Sequence, residues 1–492
     1  MRIYMDTKTN ANMIAALCLQ FVTILSGFII PRQVLVTFGS NVNGLVNSIT
    51  QFLNYISLIE GGIGSVLMTA LYSPLNEKNQ IRISAIIVAG NNFFKKIAKI
   101  FLVYLICVSV LYPLIVNTGY SYAYVASLSL ILGISLFIQY YFSIIWRLLL
   151  QADRKVYIAS IIQIAVIVLN TFLTVLGIKI FPSIHTVKLI AAFAFVLQPI
   201  LFNNYIHKNY SLDMNAKPDQ EALHHRWDGF GINLAAFLNS NTDIIVLSVL
   251  STLSNVSVYG IYSLVVVGIK SLITSISAGI TPSLGQQYSL KNKSILANTF
   301  TKYENLIFFL TFSIYSCAIV LIVPFVMNYT RGIMDANYNQ PFFSVLLIFS
   351  YGIFCIREPY VNMAYVANSY KEITKYAYIE AGINVVFSII FVYKFGLNGV
   401  AFGTLLSMGF RTGIQVLYLQ KRILYRSSWI FLRKFFLYII SSCMGVFLAS
   451  NLIPYKGDES WIYWIIKATF TTLIMLACNL ISVILINKYE NI

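Results

Sequence analysis

About fourteen hydrophobic runs, each near twenty residues, are spaced along the chain from Asn12 to Asn487. A run of that length crosses the ~30 Å hydrocarbon core of a bilayer as a helix. Lipid offers no partner to backbone polar groups, so a chain built this way folds as an all-α polytopic bundle. The chain is 58% hydrophobic and 10% charged, which leaves too little polar surface for a soluble globule of 492 residues. Function therefore has to be read from the polar residues that a bilayer would normally exclude.

The expected runs are 12–36, 43–72, 97–117, 122–147, 156–178, 187–206, 229–251, 256–284, 304–327, 341–366, 373–393, 398–420, 431–452 and 461–486. The N-terminus and the segments after even-numbered runs hold 24 Lys and Arg. Segments after odd-numbered runs hold only Lys179, Lys188, Arg331, Lys394 and Lys456. Positive charge marks the cytoplasmic side, so both termini are expected inside. The net charge of +17 mostly reflects these loops and attraction to anionic headgroups. With no folded soluble domain in sight, no nucleic-acid partner is expected.

The longest hydrophilic loop, 208–228, divides the chain near its middle. VNGLVNSI at Val42 and VYGIYSL at Val258 place Gly44 and Gly260 216 residues apart. QADRK ending at Lys155 precedes NTFLT at Asn170, as ANSYK ending at Lys371 precedes NVVFS at Asn384. The shared order predicts a six-run lobe over 1–207, a linker over 208–228, a second lobe over 229–422 and two further helices over 423–492. Transporters made of such parallel repeats bind substrate near the midplane between the halves.

Polar residues inside the runs form patterns. In run 2, Asn43, Asn47, Gln51, Asn54, Gly61 and Ser65 share one helical face at about 100° per residue. Such a face lines either water or a neighbouring helix. Glu60 falls well off that line and is a candidate for a structural ion pair. In run 8, Tyr259, Ser263, Lys270, Thr274, Ser277 and Thr281 share a face. Lys270, near the centre, costs about 2.5–3.5 kcal/mol to insert and is a candidate cation of a cavity. Run 7 contains Asn239-Ser240-Asn241-Thr242-Asp243, five polar residues that cover every helical face. That segment must be enclosed or wet, with local unwinding expected. Asp243 is placed at midplane, either paired with Lys270 or able to take up a proton.

Pro31 is expected to kink run 1, and Arg32 either snorkels outward or faces a cavity mouth. Arg357, Glu358, Glu380 and Arg411 lie at similar depth and are expected to neutralise one another. Lys467 is expected to snorkel. The six Cys have no metal or redox spacing, and no Gly-rich phosphate loop, Ser/His/Asp set or His/Asp cluster is present. Neither a metal nor catalysis is expected.

Several segments together resemble bacterial polysaccharide flippases of the Wzx type. They are PRQVLVTFGSNVNGLVNSITQFLNYISLIEGG from Pro31, TDIIVLS from Thr242, VSVYGIYSL from Val256, REP at Arg357, YKEITKYAYIEAGINVVFS from Tyr370 and KFGLNGVAFGT from Lys394. The resemblance spans nearly the whole chain. It points to the superfamily that also holds multidrug extruders and the lipid II flippase. It implies two six-helix lobes around a central cavity walled by helices 1, 2, 7 and 8. Cavity candidates are then Lys270, Arg32, Asn47, Gln51, Asn54, Tyr259, Ser263 and Thr274, with Asp243 as coupling residue. The implied cargo is a polyprenyl-diphosphate-linked oligosaccharide flipped to the outer leaflet by alternating access. Implied partners are membrane lipids, the polysaccharide polymerase and glycosyltransferases. A proton gradient, a sodium gradient and the membrane potential all stay open as drive. The alternatives are a cation-coupled multidrug exporter of the same fold, or a non-transporting scaffold for glycosyltransferases. The exporter fits less well because run 1 has no carboxylate.

Overall fold

The structure, a computed structural model, describes residues 7–60, 62–224, 230–290, 293–454 and 460–490. Among these residues the architecture is all-helical, with twelve helices long and apolar enough to cross a membrane. Two of the twelve, Ala11–Leu58 and Tyr370–Leu424, are more than twice the ~20 residues one crossing needs. Each contains one glycine outside helical geometry, Gly39 (φ 82°) and Gly396 (φ 52°). Positive φ is open to glycine without a Cβ penalty, so the chain can break there.

The chain divides into two compact units, Met1–Phe237 and Leu238–Ile492. The division falls inside one helix, nine residues beyond the expected linker. The first unit holds α1 (Thr7–Leu53), α2 (Ile56–Glu60), α3 (Ile63–Asn76), α4 (Gln80–Ile115) and α5 (Tyr122–Ile138). A π-turn, Gln139–Ser143, joins α5 to α6 (Ile144–Ala152), followed by α7 (Val156–Ile180) and α8 (Ile184–Asn209). Within it α1 packs on α7, α7 on α8, and α5 on α8. The second unit takes most of α9 (Phe230–Leu250), then α10 (Leu253–Ser289), α11 (Lys293–Tyr329) and α12 (Pro341–Val366). It ends with α13 (Tyr370–Leu419), α14 (Trp429–Leu452) and α15 (Trp461–Glu490). The last two helices pack against α11.

Several expectations are corrected here. Run 2 is not one helix but three pieces, ending at Leu53, Glu60 and Asn76. At the first break the Tyr104 hydroxyl donates to the Phe52 carbonyl at 2.6 Å. The Ser57 and Ser65 hydroxyls donate to the Asn54 and Gly62 carbonyls at 2.8 and 2.6 Å. These local bonds compete with the helix ladder and stabilise the interruptions. The polar face of run 2 is therefore continuous only from Asn43 to Gln51, and Asn54 sits in a turn. The Glu60 side chain lies outside the described residues, as do Gly61 and residues 225–229.

Run 7, expected to unwind, stays helical through residues 239–243 of α9. Its polar side chains find partners instead, as described below. The third run begins at Gln80 rather than residue 97, so Lys95, Lys96 and Lys99 are helical. Asn79 caps that helix, accepting from the Arg82 backbone N–H at 3.1 Å. Lys467, expected to snorkel, is 1% exposed and partnered.

Runs 11 and 12 form one hairpin. The two arms of α13 turn back at Gly396, bringing Asn384 within 3.0 Å of Thr404 and Arg411 onto Glu380. Between them Gly403 touches Ser388 so closely that a Cβ would stand 2.6 Å from its Oγ.

Candidate functional site

Three buried carboxylates of the second unit, Glu304, Glu380 and Asp243, each gather a group of partners. Glu304 on α11, 0% exposed, accepts from Arg426 at 2.8 Å and from Lys434 at 2.9 Å. The Tyr360 hydroxyl also donates to Glu304. Glu380 on α13 accepts from Arg357 at 2.8 Å, from Arg411, and from the Asn239 amide at 2.7 Å. Burying these ions is costly, and two cations with extra hydrogen bonds on each carboxylate offset that cost. The expected neutralisation of Arg357, Glu380 and Arg411 is seen. Glu358 is a correction: it stands outside the group, half-buried and with no ion pair among the described residues.

Asp243 forms the third group. It is 4% exposed and accepts from the Tyr259 hydroxyl at 2.7 Å and the Thr404 hydroxyl at 2.7 Å. The Asn384 amide donates to it at 3.3 Å and to the Thr404 hydroxyl at 3.0 Å. The Asn384 Oδ1 and Ser388 Oγ beside them are buried without a hydrogen-bond partner. The group is thus a carboxylate with neighbouring amide and hydroxyl oxygens. Hard oxygens of this kind suit a proton or an alkali cation, not a transition metal. Among the described residues no three His, Cys, Asp or Glu stand close enough to hold a metal ion.

Lys270 does not pair with Asp243, so of the two alternatives expected for that carboxylate the ion pair is not seen. Its Nζ lies 4.1 Å from the centre of the Phe354 ring and 5.7 Å from that of Tyr351. Among the described residues no carboxylate oxygen is within 4 Å of it, although Glu358 is within electrostatic range. Cation–π contact stabilises an ammonium where water is scarce but leaves its charge unneutralised. Tyr259 is committed to Asp243, and the Thr274 hydroxyl donates to the Ser271 carbonyl at 3.1 Å. Ser263 is half-buried one turn beyond Tyr259.

In the first unit, Arg32, Asn47 and Gln51 are half-buried on α1, and the Gln51 Oε1 is enclosed with no hydrogen-bond partner. Asn54 contributes its carbonyl to the turn. Sequence reasoning missed Glu304 as a charge centre. It stands at the edge of an apolar run, and in the sequence Arg426 and Lys434 count as loop charge.

No protein-family model matches the sequence, and no curated protein matches it. Solved structures do share its fold. One is the lipid II flippase MurJ in an inward closed conformation, with TM-score 0.72 and 17% identity. That alignment covers 94% of this chain and 97% of that one. An inward-facing multidrug resistance transporter of the MATE family gives TM-score 0.61 at 14% identity, covering 86% of this chain and 96% of that one. The MATE multidrug transporter DinF-BH gives 0.62 at 14%, covering 86% and 98%. The chain therefore shares its fold with MurJ and with these MATE transporters. Those structural neighbours are flippases and transporters rather than enzymes.

Proposed function

We propose that this chain is a flippase for a polyprenyl-diphosphate-linked oligosaccharide, crossing the cell membrane fourteen times. The lobes are taken as 1–207 and 229–422, joined by the loop at 208–228, with two helices added over 423–492. Lys270 carries the reading. It is a mid-helix cation with no carboxylate partner among the described residues, in a unit where Arg357, Arg411, Arg426 and Lys434 are each paired with a carboxylate. A diphosphate headgroup supplies the missing negative charge. Arg32 and the amides Asn47, Gln51 and Asn54 supply polar contacts to hydrated sugars. The fold shared with a lipid II flippase supports lipid-linked cargo. A drug exporter for cations would gain nothing from an unneutralised lysine, and α1 has no carboxylate to replace it.

Asp243 is the coupling residue in this proposal. With Asn384, Ser388 and Thr404 it binds a proton or sodium ion, and occupancy changes how the arms of α13 seat on α9. Both termini are inside, so a cysteine placed at Asp219 reacts only with reagents that cross the membrane. Reconstitution into proteoliposomes tests the function. A prenyl-diphosphate oligosaccharide with a fluorescent saccharide should change leaflets, while a cationic dye should not be moved. Dye efflux without lipid flipping would overturn the assignment.

A further inference from the structure

A second polar site lies wholly inside the first unit, and the flippase proposal does not use it. A cavity of about 130 Å³ opens between α1, α5, α7 and α8, lined by Lys188, Asn170, Thr174 and Ser135 among apolar neighbours such as Ile30 and Ile131. Thr174 is 1% exposed, while Asn170 and Lys188 are half-buried. Among the described residues, the side chains of Lys188, Asn170 and Thr174 make no hydrogen bond or ion pair. At ~1.5 Å per residue, Lys188 and Asn170 lie roughly 6 and 15 Å in from the helix ends at Ile184 and Ile180. An ammonium at that depth is costly unless something neutralises it.

Among the described residues no carboxylate lines this cavity. Helices α1, α5, α7 and α8 contain no Asp or Glu, and neither does α4. Arg32 follows Ile30 by two residues and adds positive charge. Three donors of different kinds, an ammonium, an amide and a hydroxyl, thus line one small cavity with no acceptor of matching charge.

The internal repeat sharpens the point. In the matched motifs Asn170 stands where Asn384 does, and four residues later Thr174 stands where Ser388 does. At the 216-residue spacing of the two glycines, which differs from the asparagine spacing by two residues, Lys188 falls on Thr404. Helix α1 has no counterpart of Asp243. The two units carry a similar amide and hydroxyl scaffold with opposite charge: a carboxylate in the second, a lysine in the first.

We propose that the cavity at Lys188 binds a small monovalent anion of halide size. One ammonium balances one negative charge, and the Asn170 amide and Thr174 hydroxyl complete its coordination by hydrogen bonds. The anion neutralises Lys188 as the Arg and Lys partners neutralise Glu304 and Glu380, and by binding only the folded first unit it stabilises that unit.

Chloride binding to the purified full-length chain, followed by ³⁵Cl NMR line broadening, tests this. Saturable broadening that bromide displaces is expected. Lys188→Met should weaken it by about tenfold or more, one lost charge contact being worth at least 1.4 kcal/mol at this depth. Lys188→Arg should retain it, and Lys270→Ala should leave the Lys188-dependent part unchanged. Broadening in Lys188→Met equal to that of the natural chain would overturn the proposal. So would displacement by inorganic phosphate at lower concentration than bromide, which would mark a phosphate site. If Lys188→Met does not accumulate, the natural chain decides alone: its melting temperature must rise in chloride over gluconate at equal ionic strength, and no rise refutes the site.

Discussion

The two units handle charge inside the membrane in opposite ways. In the second, Glu304 and Glu380 each hold two cations, and Asp243 is held by a tyrosine, a threonine and an asparagine. In the first, the only ion pair among the described residues is Lys155–Asp153 at 2.7 Å, with both side chains about a quarter exposed. Its long helices carry no carboxylate. One unit is pinned by internal ion pairs; the other relies on uncharged hydrogen bonds such as Ser26 with Thr171 and Tyr112 to Ser48, and holds Lys188 without a carboxylate. Buried pairs of this kind need not add net stability, but breaking one leaves a stranded charge.

That contrast is exposed first by breaking a pair. Glu304→Ala strands Arg426 and Lys434 and should cost about 3–5 kcal/mol, read as a large drop in melting temperature and in membrane accumulation. Glu380→Ala should behave alike through Arg357 and Arg411. A neutral outcome at both would show that the second unit is not held by its charges. Next comes packing within the α13 hairpin. Gly403→Val places carbon against Ser388 and should cost about 1–3 kcal/mol, seen in the same melting assay. An unchanged melt would mean that the arms separate freely. The smallest effect is expected in the first unit. Asp153→Asn removes a partly exposed pair and should cost less than about 1 kcal/mol. A larger loss would erase the contrast.

Asp243→Asn sharpens the comparison differently, since it keeps shape and removes a charge. Transport in proteoliposomes should lose its dependence on the proton or sodium gradient while keeping any dependence on voltage. Unchanged gradient dependence would make Asp243 a structural acceptor only.

Much of this fold is legible in the sequence because crossing helices announce themselves by length and apolarity. The run expected over 341–366 coincides with α12. What escapes is what tertiary partners decide. Run 2 reads as continuous because its side chains keep helical spacing, yet Tyr104, Ser57 and Ser65 hydroxyls hold it in pieces. The polar run of α9 reads as incompatible with a helix until Glu380, Asn384 and Thr404 are brought to it from more than 140 residues away. Lys270 is legible as an unusual cation, but its aromatic seat on Phe354 is not. Lys188 reads as one of few basic residues of the outer segments, since nothing local shows that its neighbours will be Asn170 and Thr174.

The central claim is that Lys270 awaits the phosphates of a lipid-linked cargo. Its direct test is the rate at which proteoliposomes flip a prenyl-diphosphate oligosaccharide with Lys270→Ala against Lys270→Arg, at matched protein content. The account predicts at least a tenfold loss in the alanine variant and substantial recovery with arginine, because charge rather than shape is required. Flipping by Lys270→Ala at the rate of the natural chain would contradict it.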